Sequence, residues 1–233
     1  IHTPIAVSEL RLTSGLLFSA YIIGGQPGPQ EGVAFAAVAG SHEDLFKDPA
    51  GPLVRMHSAC IFSEVGENDS QLLNKWSTLT SHERSQALGI SNGNESHDCD
   101  CQAQRQAAQK LIAFEGGVFI DLAEQEGRGW GLDIKHEIYR LHREENLDTV
   151  EACQRLGIDS DIRRYGHCAR FLLETLGLTN VRLLSNNPRK SAALQHAGIA
   201  VTPVPLVAGV TDSNAAYLRT KRDKLQHNLP GDL

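Results

Sequence analysis

The chain has 233 residues, 41% of them hydrophobic, which is enough to bury an ordinary core in one domain without disulfides. Its formal net charge of −6 gives no basic surplus for a phosphate backbone, so nucleic acid is not an expected partner. No apolar run is long enough to cross a bilayer, and the first ten residues lack the pattern of a signal peptide. We therefore expect a cytoplasmic protein without a membrane partner.

The first elements predicted along the chain are β-strands. Two apolar stretches, 15–24 and 32–38, flank a turn-rich segment and predict a β-rich opening. A further strand is predicted over 52–57, where it would place Cys60 just beyond its end. Residues 61–98 are polar, and their centre predicts one or two short helices.

From residue 102 onward, the hydrophobic pattern predicts helices that alternate with strands. The predicted strands are 117–122, 181–184 and 199–204, and the predicted helices are 104–114, 132–143, 149–156, 165–176 and 188–197. This alternation predicts an α/β fold, in which a β-rich N-terminal part is followed by strands and helices around a mixed sheet. We expect a single catalytic domain over 1–233.

The cysteines of the chain favour a metal site over a disulfide framework. Their number is odd, and in a reducing compartment a clustered subset indicates metal ligands; they are Cys60, Cys99, Cys101, Cys153 and Cys168. Three thiol ligands, with Cys60 joining Cys99 and Cys101, would leave zinc one open position, as catalytic zinc sites require. Ordinary reduced cysteines remain the alternative, because C-x-C alone is a weak pattern. The H-x-E and P-C-x-x-C signature of zinc nucleobase deaminases is absent.

Two turns between a predicted strand and a predicted helix have the composition of anion-binding sites. The first, 125–131, is rich in glycine and contains Arg128, so backbone N–H groups and a guanidinium would face an anion. The second, 184–190, places Pro188 at the first helical position, with Ser185 and Lys190 beside it. The alternatives are a tight turn with a solvated arginine and a capped helix with solvated cations.

Taken in order, six motifs resemble the GTP cyclohydrolase II family. They are RMHSAC at 55–60, CDCQAQ at 99–104, QEGRGWGL at 125–132, DTVEAC at 148–153, DSDIRRYG at 159–166 and LLSNNPRK at 183–190. The similarity extends from about residue 7 to about residue 225. Six motifs in one order are far more specific than any one of them, so the resemblance favours this family strongly.

The resemblance implies a zinc-dependent hydrolase that opens the imidazole ring of GTP. The family reaction releases formate and pyrophosphate and leaves a diaminopyrimidine ribosylamino phosphate for riboflavin biosynthesis. Zinc (Zn²⁺), Mg²⁺ and a homodimer are all implied, and the zinc ligands of the family fall on Cys60, Cys99 and Cys101. Zinc-bound hydroxide would attack C8 of the purine while Mg²⁺ neutralises the triphosphate.

The family also implies the roles of individual side chains. Arg163 matches the residue proposed to attack the α-phosphate, and Asp161 the group proposed to assist it. Because arginine stays protonated in proteins, electrostatic clamping by Arg163 explains the motif almost as well. Tyr139 matches a tyrosine near the ring-opening chemistry, and its alternative is a half-buried core aromatic.

The substrate contacts of the family fall on twelve residues of this chain. For two of them a simpler alternative exists, namely a helix cap at Thr149 and a solvated amide at Gln104. The twelve are Arg55, Met56, His57, Ser58, Ala59, Gln104, Glu126, Gly127, Arg128, Thr149, Ser185 and Lys190.

The chain departs from the family pattern near the predicted metal ligands. Ala59 stands where the family has glutamate, Asp98 replaces an arginine, and Gln102 replaces a glycine. Residues 61–98 form an insertion between the predicted ligands. Each doubling of the loop length adds only roughly 0.6 kcal/mol to the entropic cost of closing the loop. The insertion could form a lid, a dimer contact or a partner site. Two further hypotheses follow. One is a divergent paralogue that stops at a formamidopyrimidine nucleotide or opens another nucleotide, and the other is a non-catalytic nucleotide- or zinc-binding protein.

Overall fold

The computed structural model describes residues 5–11, 17–23, 34–60, 100–210 and 214–231. The chain divides into two compact units. The first unit comprises Ile1–Ala59, Gln106–Gln125 and Arg163–Leu206, and the second comprises Cys60–Arg105, Glu126–Ile162 and Val207–Leu233. The predicted insertion, 61–98, and its short helices lie outside the described residues, and the single catalytic domain over 1–233 stays a prediction.

Seven strands in the described ranges form one mixed sheet in the first unit. They are β1 (Ile5–Arg11), β2 (Leu17–Ile23), β3 (Ala34–Ala39), β4 (Leu53–Ser58), β5 (Gly117–Leu122), β6 (Asn180–Leu184) and β7 (Ala200–Val204). The order across the sheet is β1-β2-β3-β5-β4-β6-β7. The pairs among β1, β2, β3 and β5 are antiparallel, whereas β4 runs parallel to β5 and β6, and β6 runs parallel to β7.

The part of the chain that the structure describes contains six α-helices. They are α1 (Cys101–Glu115), α2 (Gly131–Glu145), α3 (Thr149–Leu156), α4 (Gly166–Arg170), α5 (Pro188–His196) and α6 (Ala215–Asp223). Short 3-10 helices cover Glu43–Phe46 and Ala123–Gly129, and a π-helical segment, Phe171–Thr175, continues α4. The predicted α/β fold with a β-rich N-terminal part is confirmed.

The interior strand β4 is buried on both of its faces, as parallel strands covered by helices usually are. One face of the sheet carries Val54 and Met56, which join the larger core with α4 and the π-helical segment. The other face carries Leu53, which packs with Phe119 of β5 and the later part of α1. Because side chains alternate along a strand, Arg55 and His57 lie on the α1 face with Leu53.

The second unit contains a smaller core where α2 packs against α3. Ile138 and Leu141 of α2 contact Ala152 and Cys153 of α3, and all four are nearly inaccessible to solvent. The more exposed side chains of α2 include two ion pairs, which Arg140 forms with Glu137 and Glu144. This small core fixes the start of α3, where Thr149 lies.

A capping box begins α3. The Asp148 carboxylate accepts hydrogen bonds from the backbone N–H groups of Val150 (2.9 Å) and Glu151 (3.0 Å), and the Glu151 side chain accepts from the Asp148 backbone N–H (2.9 Å). Lys224 forms ion pairs with both carboxylates. Burial alone would raise the pKa of Asp148, but the hydrogen bonds from Lys224 and the backbone outweigh it and hold that pKa below 3.8.

We expect Asp148→Ala to lower the free energy of unfolding by about 1 kcal/mol at neutral pH, because a helix loses its N-cap. The lowered pKa means that this stabilisation is present above the ordinary value of 3.8 and is lost as pH falls through the folded value. Urea unfolding from about pH 7 to about pH 3 should therefore show the difference shrinking with acid. Asp133→Ala, at an exposed aspartate in the first turn of α2, is the control. A difference that stays constant with pH would contradict the pKa argument.

Candidate functional site

The predicted substrate segment 55–59 lies on β4 and directly after it. Arg55 is buried, and its Nη1 donates to the carbonyl of Leu184 at the end of β6 (2.9 Å). His57 is also buried, and its ring stacks on Phe119 with the ring centroids 5.9 Å apart. The backbone N–H of Ala59 donates to Leu122 O (3.0 Å), which extends the pairing of β4 with β5 by one residue. The end of β4 is thus held rigidly in the sheet.

Gln125, which the sequence reasoning did not single out, links three parts of the first unit. It is 3% exposed, and its Oε1 accepts a hydrogen bond from Ser58 Oγ (2.7 Å). Its Nε2 donates to the carbonyl of Arg164 (2.7 Å). One amide therefore ties the end of β4 to the segment that contains Arg163. The sequence could have indicated Gln125, because it is the first residue of the QEGRGWGL motif.

Lys190 is buried rather than solvated. It is 5% exposed, its Nζ donates to the carbonyl of Met56 (2.5 Å), and it lies 5.5 Å from the ring centroid of Tyr165. The alternative of solvated cations therefore fails for this lysine. Its ammonium joins the start of α5 to β4, 134 residues earlier in the chain.

The turn before α5 is built by side chains of the LLSNNPRK motif. Asn187 caps the helix by accepting from the backbone N–H of Arg189 (2.9 Å), and Pro188 occupies the first turn. Ser185 Oγ accepts from the Asn187 backbone N–H (3.1 Å). Asn186 exchanges two hydrogen bonds with the backbone of Leu206, at 2.6 and 2.9 Å. The predicted strand-to-helix turn is present, and it is closed by a helix cap.

In the second unit, the glycine-rich turn before α2 holds a strained backbone. Gly127, Arg128 and Gly129 have φ values of 59°, 59° and 93°, so three consecutive residues are left-handed. For Arg128, which has a Cβ, this conformation costs on the order of 1–3 kcal/mol and occurs mostly at functional sites. The Arg128 carbonyl accepts from Ile162 N (3.2 Å), so the turn is fixed against the DSDIRRYG segment.

The guanidinium of Arg128 lies among side chains of the second unit and includes a buried N–H donor. Its guanidinium carbon lies 6.0 Å from the ring centroid of Tyr217, and the charge of Arg128 also acts on Cys153. Burial raises the pKa of the Cys153 thiol, an effect that Arg128 opposes and the carboxylates of Asp148 and Asp161 reinforce. The Nη1 atom of Arg128 is buried without a hydrogen-bond partner among the described residues. The alternative of a solvated arginine is therefore not supported.

Lys135 on α2 was missed from the sequence, although it connects three predicted site residues. Its Nζ lies 2.6 Å from Glu126 Oε1 and 3.5 Å from Cys60 Sγ. The two charged side chains are only 12% and 16% exposed. The ring centroid of Tyr139, one helical turn further on, lies 6.0 Å from the same ammonium. The spacing of four residues between Lys135 and Tyr139 was the available signal.

The start of α1 carries Cys101 as its first residue and Asp100 immediately before it. Asp100 is 2% exposed, and its Oδ2 accepts a short hydrogen bond from the Gln104 side chain. Its Oδ1 lies 2.9 Å from Lys221 Nζ, an ion pair with a partner on α6. Gln104 is therefore not a solvated amide.

The predicted ligand set and catalytic groups are described in part. Cys99 lies outside the described residues, and among those described no group of three His, Cys, Asp or Glu side chains is arranged to hold a metal. Cys60 is buried. Asp161 and Arg163 are both partly exposed at the segment between α3 and α4. Within the described ranges, no helix is long and apolar enough to cross a bilayer.

Comparison with known proteins identifies the family of the central and later part of the chain. Residues 91–204 match the family model described as GTP cyclohydrolase II. The matched region belongs to the GTP cyclohydrolase II family.

Three curated relatives illustrate the similarity. The chain is 48% identical over 132 residues to "GTP cyclohydrolase-2" of Azotobacter vinelandii, covering 56% of this chain and 62% of the relative. It is 47% identical over 137 residues to "GTP cyclohydrolase-2" of Streptomyces coelicolor, covering 58% and 61%. It is 34% identical over 228 residues to "Riboflavin biosynthesis protein RibBA" of Bacillus subtilis, covering 97% and 49%. The chain thus spans less than two thirds of the length of each of these relatives.

Proposed function

We propose that the chain hydrolyses GTP, opening its imidazole ring and releasing formate and pyrophosphate, in riboflavin biosynthesis. The observation that carries the proposal is the turn 126–131, where a strained left-handed backbone carries Arg128 and the buried Nη1 of this residue has no hydrogen-bond partner among the described residues. Such a donor would suit an anion. The names of the relatives, two of them GTP cyclohydrolase-2 and one a riboflavin biosynthesis protein, support the same reaction.

Zinc is the proposed metal, with Cys60, Cys99 and Cys101 as ligands. The donor chemistry supports it, because the Lys135 ammonium points at the sulfur of Cys60 from 3.5 Å, an arrangement that suits a thiolate. Cys101 occupies the first position of α1, where the helix dipole favours negative charge. When bound, zinc would supply a hydroxide near neutral pH and polarise the ring.

The residues of the second unit that we assign to substrate are the phosphate-side groups and their supports. Gly127 and Arg128 would bind phosphate, and Mg²⁺ would share the neutralisation of its charge. Glu126 is held in place by Lys135 at 2.6 Å, so its carboxylate keeps one orientation. Thr149 and Gln104 stay proposed contacts. Tyr139, on α2, stays the proposed group near the ring, and Asp161 the group that assists at the α-phosphate.

In the first unit, the proposed contacts are the strand end 55–59, Ser185 and Lys190. The ammonium of Lys190 donates to the Met56 carbonyl, so we assign to it the positioning of β4 as well as any direct contact with substrate. Arg163 carries the charge that would bear on the α-phosphate. Assembly as a homodimer and a cytoplasmic location belong to the same proposal, on the strength of the family resemblance.

The test is incubation of the zinc-loaded chain with GTP and Mg²⁺, followed by mass spectrometry of all products. We expect formate, pyrophosphate and the diaminopyrimidine ribosylamino phosphate in equal amounts, and no reaction with ATP under the same conditions. GTP that stays intact with zinc-loaded protein would overturn the proposal.

A second candidate function is favoured by one observation about the strand end. Ala59 replaces the glutamate of the family, so the segment after β4 lacks a carboxylate that could contact the purine. A paralogue of this kind would open the ring and stop at a formamidopyrimidine nucleotide, or would act on a different nucleotide. A product that retains the formyl group would identify the first case, and turnover of another nucleotide in place of GTP would identify the second.

A further inference from the structure

Helix α6 contacts the residue that separates two predicted metal ligands in the sequence. Asp100 lies between Cys99 and Cys101, and its Oδ1 forms an ion pair with Lys221 on α6 at 2.9 Å. The Asp100 side chain is 2% exposed and that of Lys221 is 14% exposed, so this pair is largely shielded from water. Separating the two partners of such a pair would leave a buried charge uncompensated, which is unfavourable. We therefore expect the pair to keep this geometry.

The segment before α6 makes a second contact with the same place. Gly209 has φ +71°, and a Cβ built on it would lie 2.6 Å from the Cβ of Ala103 and 3.7 Å from the Cα of Asp100. The buried side chain of Asn214, at the start of α6, donates to the carbonyl of Gly209 (2.7 Å). The backbone at Gly209 is thus packed directly on the first turn of α1.

The ring of Tyr217 provides a third contact, with the phosphate-side turn. Tyr217 lies one helical turn before Lys221 on α6, and the two side chains are in contact, with the ammonium 4.2 Å from the ring centroid. The guanidinium of Arg128 lies 6.0 Å from the same centroid. One face of α6 therefore reaches both the predicted ligand segment and Arg128, all within the second unit.

We propose that Lys221 and Tyr217 are positioning residues, and that α6 sets the geometry of both parts of the site. Lys221 and Gln104 each contact one oxygen of Asp100, which fixes the start of α1, where Cys101 lies. Tyr217 holds the guanidinium of Arg128 by a cation–π contact. The inference rests on the proposed function, since it takes Cys101 as a zinc ligand and Arg128 as a phosphate contact.

The first experiment measures metal binding by the full chain after its metal has been removed. Cobalt(II) is the probe, because thiolate ligands give it an intense charge-transfer absorption, and zinc affinity follows from competition with a chromogenic chelator. We expect Lys221→Met to weaken Zn²⁺ binding by about 10-fold to 100-fold and to reduce the cobalt–thiolate band, since changes to groups that orient metal ligands have effects of this size. Lys221→Arg, which keeps the charge, should restore most of the affinity.

Lys224→Met is the matched control. This lysine follows α6 directly and also forms ion pairs, but its partners are the carboxylates of Asp148 and Glu151. We expect it to lose stability without changing metal affinity by more than about twofold. We expect both substitutions to lower the unfolding temperature, but only Lys221→Met to change the cobalt band. An equal change of the band in both variants would mean that lost stability, not lost positioning, weakens metal binding.

Tyr217→Leu gives a readout that does not depend on the fold tolerating Lys221→Met. It leaves the Asp100 ion pair intact, so we expect normal cobalt and zinc binding and a KM for GTP raised about threefold to tenfold, with a smaller change in kcat. Wild-type protein that binds metal, together with a Lys221→Met variant that binds it equally well, would overturn the positioning role and leave the proposed zinc site standing. Wild-type protein that binds neither cobalt nor zinc would overturn the zinc site as well.

Discussion

Cys101→Ser and Cys60→Ser are each expected to abolish zinc binding and GTP turnover together. A serine hydroxyl stays protonated near neutral pH and is a poor ligand for zinc, whereas thiolate is one of its preferred ligands. Loss of a metal ligand should have a larger effect than substitution of a residue that only orients a ligand, so turnover should fall by more than about 100-fold. Zinc per chain, measured by elemental analysis, and GTP turnover check the two effects on the same protein. Cys99→Ser is expected to behave in the same way.

Cys153→Ser is the matched control for these substitutions. Cys153 is also a buried cysteine of the second unit, but it packs in the core between α2 and α3, and burial raises the pKa of its thiol. We expect this variant to lose some stability while keeping a full equivalent of zinc. If Cys101→Ser retains normal zinc content, the assignment of ligands is wrong, whatever happens to its activity.

Elements with strong local signals were predicted with the bounds that the structure shows. The strand 117–122 is a short apolar run that follows a glycine pair, and the helix 149–156 begins with a capping box and ends at Gly157. The long predicted helix 165–176 is divided in the structure into α4 and a π-helical segment, closed by a hydrogen bond from Leu176 N to Phe171 O (3.2 Å). Hydrophobic period alone does not distinguish these two helix types.

Two elements were missed because their sequences carry weak patterns. The pairing of β1 with β2 shifts register between Val7 and Leu10, and this irregularity breaks the alternation that predicts a strand. The helix α6 is mostly polar, and Leu218 is its one buried hydrophobic residue, so no apolar stripe marks it. Part of the candidate site was missed with this helix, because α6 carries the residues that contact Asp100 and Arg128.

For the candidate site, the order of motifs was sufficient to predict the family, which the comparisons confirm, but not the contacts between its residues. Lys190 and Met56 are 134 residues apart, and Lys221 and Asp100 are 121 residues apart. Such pairs have no local periodicity, so only the fold reveals that these lysines are buried and already bonded. The metal ligands, the catalytic roles and the homodimer stay predictions.

Arg163→Ala is expected to lower the rate of pyrophosphate release by about 10²-fold to 10³-fold, as loss of one charge-stabilising donor typically does. The reason is that a guanidinium at the α-phosphate would neutralise the charge that develops there. Arg163→Lys keeps the charge but loses the planar fork of donors, so its loss should be smaller, about tenfold. Quenched-flow measurement of pyrophosphate and formate separates the α-phosphate step from ring opening.

Arg164→Ala is the control for this series, because Arg164 is the exposed neighbour of Arg163 and contributes its backbone carbonyl to Gln125. Truncating its side chain leaves that carbonyl in place, so we expect nearly normal turnover. The ratio between the two Arg163 variants decides between the roles that the sequence leaves open. A lysine that recovers activity supports electrostatic clamping. Equal losses for lysine and alanine, with a chain carrying a covalently bound nucleoside monophosphate detected by mass spectrometry of quenched wild type, would support covalent attack by Arg163.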